Sequence, residues 1–167
     1  MGGGVMALTD KQKVELAQRH GLSNTKIILE AAREAGIPFY VGCALMEKES
    51  HGRNVYGNDS GGTFAGAPFG VNKYNWQVFR WLVVSKGHRS NGVGPAQLTY
   101  KGFFTDMESK GLKPWDPHDN MLYGFRLLKK YKNEKGSWTA AGTAYNGSAS
   151  YGRELADLVE KWRERIQ

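Results

Sequence analysis

Ile37-Pro38-Phe39-Tyr40-Val41-Gly42-Cys43-Ala44-Leu45-Met46, followed by Glu47-Lys48-Glu49-Ser50-His51-Gly52, organises the reading of this chain. The ten residues Ile37 to Met46 are its longest apolar run. Crossing hydrocarbon takes about 20 such residues, so the run predicts a buried helix and not a membrane span. Pro38 suits a first turn, and the helix is expected over Phe39 to about Glu49, apolar almost all round as a central helix must be.

Helices are expected on both sides of it. Upstream, Thr9-Asp10 can cap a helix running through Arg19 to a stop at Gly21, and Asn24 or Thr25 can cap another that ends at Gly36. Downstream, His51 to Asn75 is rich in Gly, with Asn58, Asp59 and Ser60 beside it, which predicts loops or a small hairpin. Trp76 to Val84 reads as a helix, and Lys86 to Gly94 as a basic loop. Pro95 is expected to open a helix containing Leu98, Phe103, Phe104 and Met107. Asp116-Pro117 opens the next, Ser137 caps one reaching about Tyr145, and the last runs from Ala149 to Ile166. No repeat or linker interrupts the chain. The expectation is one domain over residues 1–167, mainly α, with about seven or eight helices and an irregular Gly-rich loop or small β-hairpin in the middle. At 167 residues such a chain can bury about two-thirds of its unfolded surface without staples.

The chemistry is concentrated where the central helix ends in carboxylates. A carboxyl there feels the negative end of the helix dipole, and beside Leu45 and Met46 it is partly desolvated; both effects raise its pKa, as a general acid near neutral pH requires. Glu49 lies on the Leu45/Met46 face, and Glu47 follows Cys43 and Ala44 by the same spacings. Periodicity does not separate the two, and both could equally be the solvated end of a core helix. Cys43 lies inside the apolar run and reads as a small buried hydrophobe, not a nucleophile. His20, His51, His88 and His118 have no metal-ligand spacing, so neither a catalytic metal nor a cofactor is expected.

Three motifs then appear in order: Glu49-Ser50-His51-Gly52, Asn91-Gly92-Val93-Gly94-Pro95-Ala96-Gln97-Leu98-Thr99, and Thr143-Ala144-Tyr145-Asn146-Gly147. They resemble the Glu-Ser, Gly-x-x-Gln and Ala-Tyr-Asn segments of the lytic transglycosylase and goose-type lysozyme superfamily, and look closest to the muralytic domains of phage endolysins. The resemblance spans about Phe39 to Tyr151; the first two helices and the last match only as generic padding. It implies a lysozyme-like fold and cleavage of the MurNAc-GlcNAc β-1,4 bond of peptidoglycan. Glu49 would protonate the glycosidic oxygen, Gln97 and Thr99 would line the cleft, and Tyr145 and Asn146 would hold the sugar. Two departures stand out. The family's Gly-Leu-Met-Gln is here Gly94-Pro95-Ala96-Gln97, and Thr99 stands where goose-type enzymes place an Asp nearby. Asp59, ten residues after Glu49, resembles the goose-type Gly-Asp segment. As a second carboxylate it would activate water; without one, the substrate's own N-acetyl or 6-hydroxyl group takes over. The alternative for Asp59 is an Asx-turn residue capping its own loop.

A net charge of +7 attracts anionic polymers, whether nucleic acid, anionic lipid or an acidic wall. Lys and Arg alternate with acids, as in Lys48-Glu49 and Arg163-Glu164-Arg165, which argues against a nucleic-acid binder. The expected partner is bacterial peptidoglycan, bound by a monomer without membrane insertion. Met1 to Gly4 carry no secretory signal, which suits an endolysin that waits in the host cytoplasm before release to the cell wall. Tyr56, Phe64, Phe69, Tyr74, Trp76 and Trp81 surround the Gly-rich region. Some would stack on sugars, whereas Trp76 and Trp81 are expected to close the core. A catalytically silent polysaccharide-binding domain on the same scaffold is the competing reading.

Overall fold

The structure is a computed structural model that describes residues 6–167, so Met1 to Gly4, read above as lacking a signal, lie outside the described residues. Among the described residues it is mainly α-helical. In chain order the helices are α1 (Asp10–Arg19), α2 (Thr25–Ala35), α3 (Phe39–Glu49), α4 (Lys73–Arg80), α5 (Lys101–Ser109), α6 (Pro117–Lys135), α7 (Trp138–Asn146) and α8 (Ala149–Ile166); α4 runs on into a π-helical turn, Trp81–Ser85.

The starts follow local chemistry. Thr9 and Gln12 form a reciprocal capping box on α1, Asp116 accepts from the Asp119 amide at α6, and Ser137 accepts from the Ala140 amide at α7. Asn24 precedes α2 in the left-handed region and does not cap it. Its amide instead donates to the Gly52 carbonyl at 2.8 Å, which fixes the start of α2 to the turn after α3.

α3 is the central helix that its apolar run predicts, with Phe39 and Val41 to Met46 all buried. It packs against α2 and α8, while α6 packs against α2 and α7. Gly42 allows this closeness, since a Cβ there would stand 3.2 Å from the Phe125 ring of α6 and 3.3 Å from Ile28 of α2. Around it lie Trp162, Phe125, Met121 and Leu155, all without exposure. A core this closely packed leaves α3 a single orientation, and its C-terminal residue is therefore held in one place.

Two expectations need correction. No helix starts at Pro95. Gly94 and Gln97 adopt φ of +76° and +51°, and the Gln97 amide closes a turn onto the Gly94 carbonyl at 3.0 Å, so α5 begins only at Lys101. Of the two forms expected for the middle, the irregular Gly-rich loop is the one found among the described residues, with isolated bridges pairing Val55 with Gly70, Tyr56 with Val93, and Val93 with Leu98. Trp76 is buried but Trp81 is 54% exposed. Five residues of helix advance about 500°, which puts the two indoles about 140° apart.

Candidate active site

Glu49 is the last residue of α3, and the chain turns away at Ser50, which is buried. The Ser50 hydroxyl donates to the Pro95 carbonyl at 2.7 Å and accepts from the Gly52 amide at 3.1 Å. The end of α3 is thereby joined to the turn at Gly94–Gln97. From the other side, fully buried Asn120 of α6 accepts from the Ala96 amide at 2.8 Å and donates to the carbonyls of Val93 and Pro114. The Tyr145 hydroxyl donates to the Ala96 carbonyl at 2.7 Å, and the Gln97 amide donates to the carbonyls of Val55 and Gly94. Buried polar groups matched in this way define one conformation, because each unmatched partner would carry its full desolvation penalty.

This turn forms one wall of a cleft of about 560 Å³, a volume within the range of small-molecule sites. Glu49, Asp59, Gln97, Thr99, Tyr145 and Asn146 all line it. The roles expected of them are modified by their contacts. Gln97 and Tyr145 use their polar hydrogens to hold the wall, so neither has a free donor for a ligand. Thr99 is exposed, with its hydroxyl 3.3 Å from the Gln97 carbonyl, and Asn146 lies exposed at the end of α7. Asp59 is not capping its own loop through its side chain. Its Oδ2 accepts from the Gly92 amide at 2.7 Å, 33 residues along the chain, while Oδ1 takes no hydrogen bond among the described residues.

The two glutamates of α3 diverge. Glu47 accepts from the Trp162 indole at 3.2 Å, lies 4.0 Å from the Arg165 guanidinium, and is absent from the cleft. Glu49 Oε1 accepts from the Tyr151 hydroxyl at 2.5 Å. Burial pushes the Glu49 carboxyl up to about 7; the Tyr151 hydrogen bond and the Lys48 charge pull it down, and the Asp59 charge adds to the rise. Tyr151 lies in the first turn of α8, its ring stacked 6.5 Å from that of Tyr145. Burial, chiefly, and the Glu49 charge push both phenols well above their usual range, so both remain hydrogen donors across neutral pH. A half-protonated buried acid beside an anchored second carboxylate can deliver a proton to a bound oxygen and steady positive charge that develops next to it.

Tyr151 was missed in the sequence, where the last helix read as padding. The available signal is Tyr151-Gly152. A Cβ on Gly152 would stand 2.2 Å from the Thr139 carbonyl, so α8 crosses α7 closely here and carries the neighbouring Tyr towards α3. The rim aromatics were also misplaced. Tyr100, Phe103, Tyr131 and Tyr145 line the cleft, whereas none of Tyr56, Phe64, Phe69, Tyr74, Trp76 and Trp81 does. Cys43 is fully buried, with its thiol raised mainly by burial. Away from the cleft, Asp116, His118 and Asp119 gather ligand-type atoms within 4.8 Å. Their groups already serve the fold. Asp116 caps α6, Asp119 accepts from the Lys113 amide and pairs with His118, and the other His118 nitrogen lies 3.0 Å from Glu34. No family model, curated protein or solved structure matches this chain.

Proposed function

We propose that this chain is a lysozyme-like, peptidoglycan-degrading glycosidase that cleaves the MurNAc-GlcNAc β-1,4 bond with Glu49 as general acid. The observation that carries the reading is the Glu49 carboxyl. It closes a buried helix, opens onto a cleft, is held by Tyr151, and titrates near 7. An acid with that pKa is still protonated in about half the molecules at neutral pH, yet gives up its proton readily. The bound glycan would present its glycosidic oxygen to the Glu49 proton, and Oε1, occupied by Tyr151, leaves Oε2 as the donating atom.

Asp59 supports hydrolysis over the 1,6-anhydro route. Its carboxylate is anchored in the same cleft through one oxygen, which leaves the other to orient a water or to stabilise the oxocarbenium-like transition state. The test is mass spectrometry of fragments released from purified peptidoglycan. Wild type is expected to release muropeptides with reducing MurNAc ends, and Glu49→Gln to lose at least about 10²-fold of the activity with the fold intact. Asp59→Asn should lower turnover while leaving binding to the glycan nearly unchanged. Predominantly 1,6-anhydro ends would remove Asp59 from the chemistry. Tight retention on peptidoglycan with no cleavage, in wild type and Glu49→Gln alike, would favour the silent binding domain.

A further inference from the structure

Among the described residues, none covers the outer face of α4. Tyr74, Val78 and Trp81 follow one another at spacings of four and three residues, so they form one stripe along the helix and its π-helical turn. They are 78%, 51% and 54% exposed, and none lines the cleft. An aliphatic and two large aromatic side chains in a row are unusual on a surface that meets only water.

The chain segment that bears the stripe carries charge of one sign. From Ser60 to Thr105 the chain has five Lys and Arg and no Asp or Glu. Arg80 is neutralised by Glu108, 2.8 Å away. Lys73, Lys86 and Arg89 are exposed, and none forms an ion pair among the described residues. The Lys86 ammonium lies 5.2 Å over the Trp81 ring, and exposed His88 follows in the same loop.

We propose that this face docks on an anionic lipid surface, with Val78, Trp81 and Tyr74 entering the headgroup region and Lys73 and Lys86 contacting lipid phosphates. Apolar and aromatic anchors flanked by unpaired cations match the chemistry of a bilayer interface, where amphipathic rings bury their bodies and cationic side chains reach the charged layer. Sugar stacking fits less well. Lys86 covers one face of the Trp81 ring, and the middle of the stripe is a Val with no ring to offer. Docking is at side-chain depth, since no described helix is long and apolar enough to cross a membrane.

The experiment is co-sedimentation of the whole chain with phosphatidylglycerol vesicles and with phosphatidylcholine vesicles. Wild type should partition onto the anionic vesicles only. The double variant Val78→Ser/Trp81→Ser changes no charge and both sites are exposed, so circular dichroism should be unaltered while partitioning weakens about tenfold or more. Glu49→Gln should bind as wild type does, which separates this surface from the reading of the cleft. Absence of binding to anionic vesicles would overturn the proposal. Equal binding by the double variant would do so too, because net charge alone would then suffice. If the double variant keeps vesicle binding but loses retention on lipid-free peptidoglycan, the face is a wall-binding surface and the lipid proposal fails.

Discussion

Glu49 carries a penalty that its neighbours do not remove. Its ordinary pKa is 4.5 and burial raises it to about 7, so between these values the folded chain keeps a proton that the unfolded chain releases. Stability therefore falls as pH rises through that window, and the loss is complete above about 7. Glu49→Gln retains the Tyr151 hydrogen bond and removes the charge. It should unfold at higher temperature than wild type at pH 8, by roughly 1–3 kcal/mol, and the difference should vanish near pH 4. A solvated glutamate would give the same small difference at both pH values. Tyr151 acts in the opposite direction, because its hydroxyl favours the carboxylate. Tyr151→Phe should push Glu49 higher, moving the alkaline limb of the pH-activity profile upward. Turnover should fall about 10- to 10²-fold as the carboxyl loses its anchor. An unmoved alkaline limb would mean that Tyr151 only packs.

At the scale of elements, the crossing of α7 and α8 sets where Tyr151 and Tyr145 meet. Replacing a helical Gly with Ala ordinarily stabilises by about 1 kcal/mol. At Gly152 the sign reverses, since the new methyl would stand 2.2 Å from the Thr139 carbonyl and 2.3 Å from the Thr143 hydroxyl, and backbone cannot swing aside. Gly152→Ala should destabilise by about 1–3 kcal/mol in urea unfolding and lower activity with it. The elements themselves were mostly legible, because caps such as Thr9, Asp116 and Ser137 adjoin apolar periodicity within one window of sequence. The cleft wall was not. Pro95 has the look of a first helical turn, but the residues that hold the chain in a turn there lie 45, 24 and 49 positions away, in Ser50, Asn120 and Tyr145. For the same reason Glu47 and Glu49 were inseparable. A helix buried on every side has no solvent face to sort them, and only their partners on α8, Trp162 for one and Tyr151 for the other, do so.

Over the whole molecule, positive charge is in excess. Two carboxylates sit in the cleft, while five of the Lys and Arg residues occupy a stretch from Ser60 to Thr105 that has no acid at all. A net charge of +7 acts on a distant polymer through the summed field, which salt screens to a reach of about 8 Å at physiological ionic strength. Contacts inside the cleft are shorter than this and partly shielded from solvent. Under the proposed function, recruitment to an anionic wall and cleavage of a bound strand should therefore respond differently to salt. Turbidity loss of whole walls should slow as salt rises from low to above physiological concentration, while cleavage of a soluble neutral glycan fragment changes little over the same range. Measuring both rates across one salt series decides it. Parallel decline would place the salt effect on the cleft itself, on the fold or on the ionisation of Glu49, and the excess positive charge would have no part in bringing the chain to its substrate.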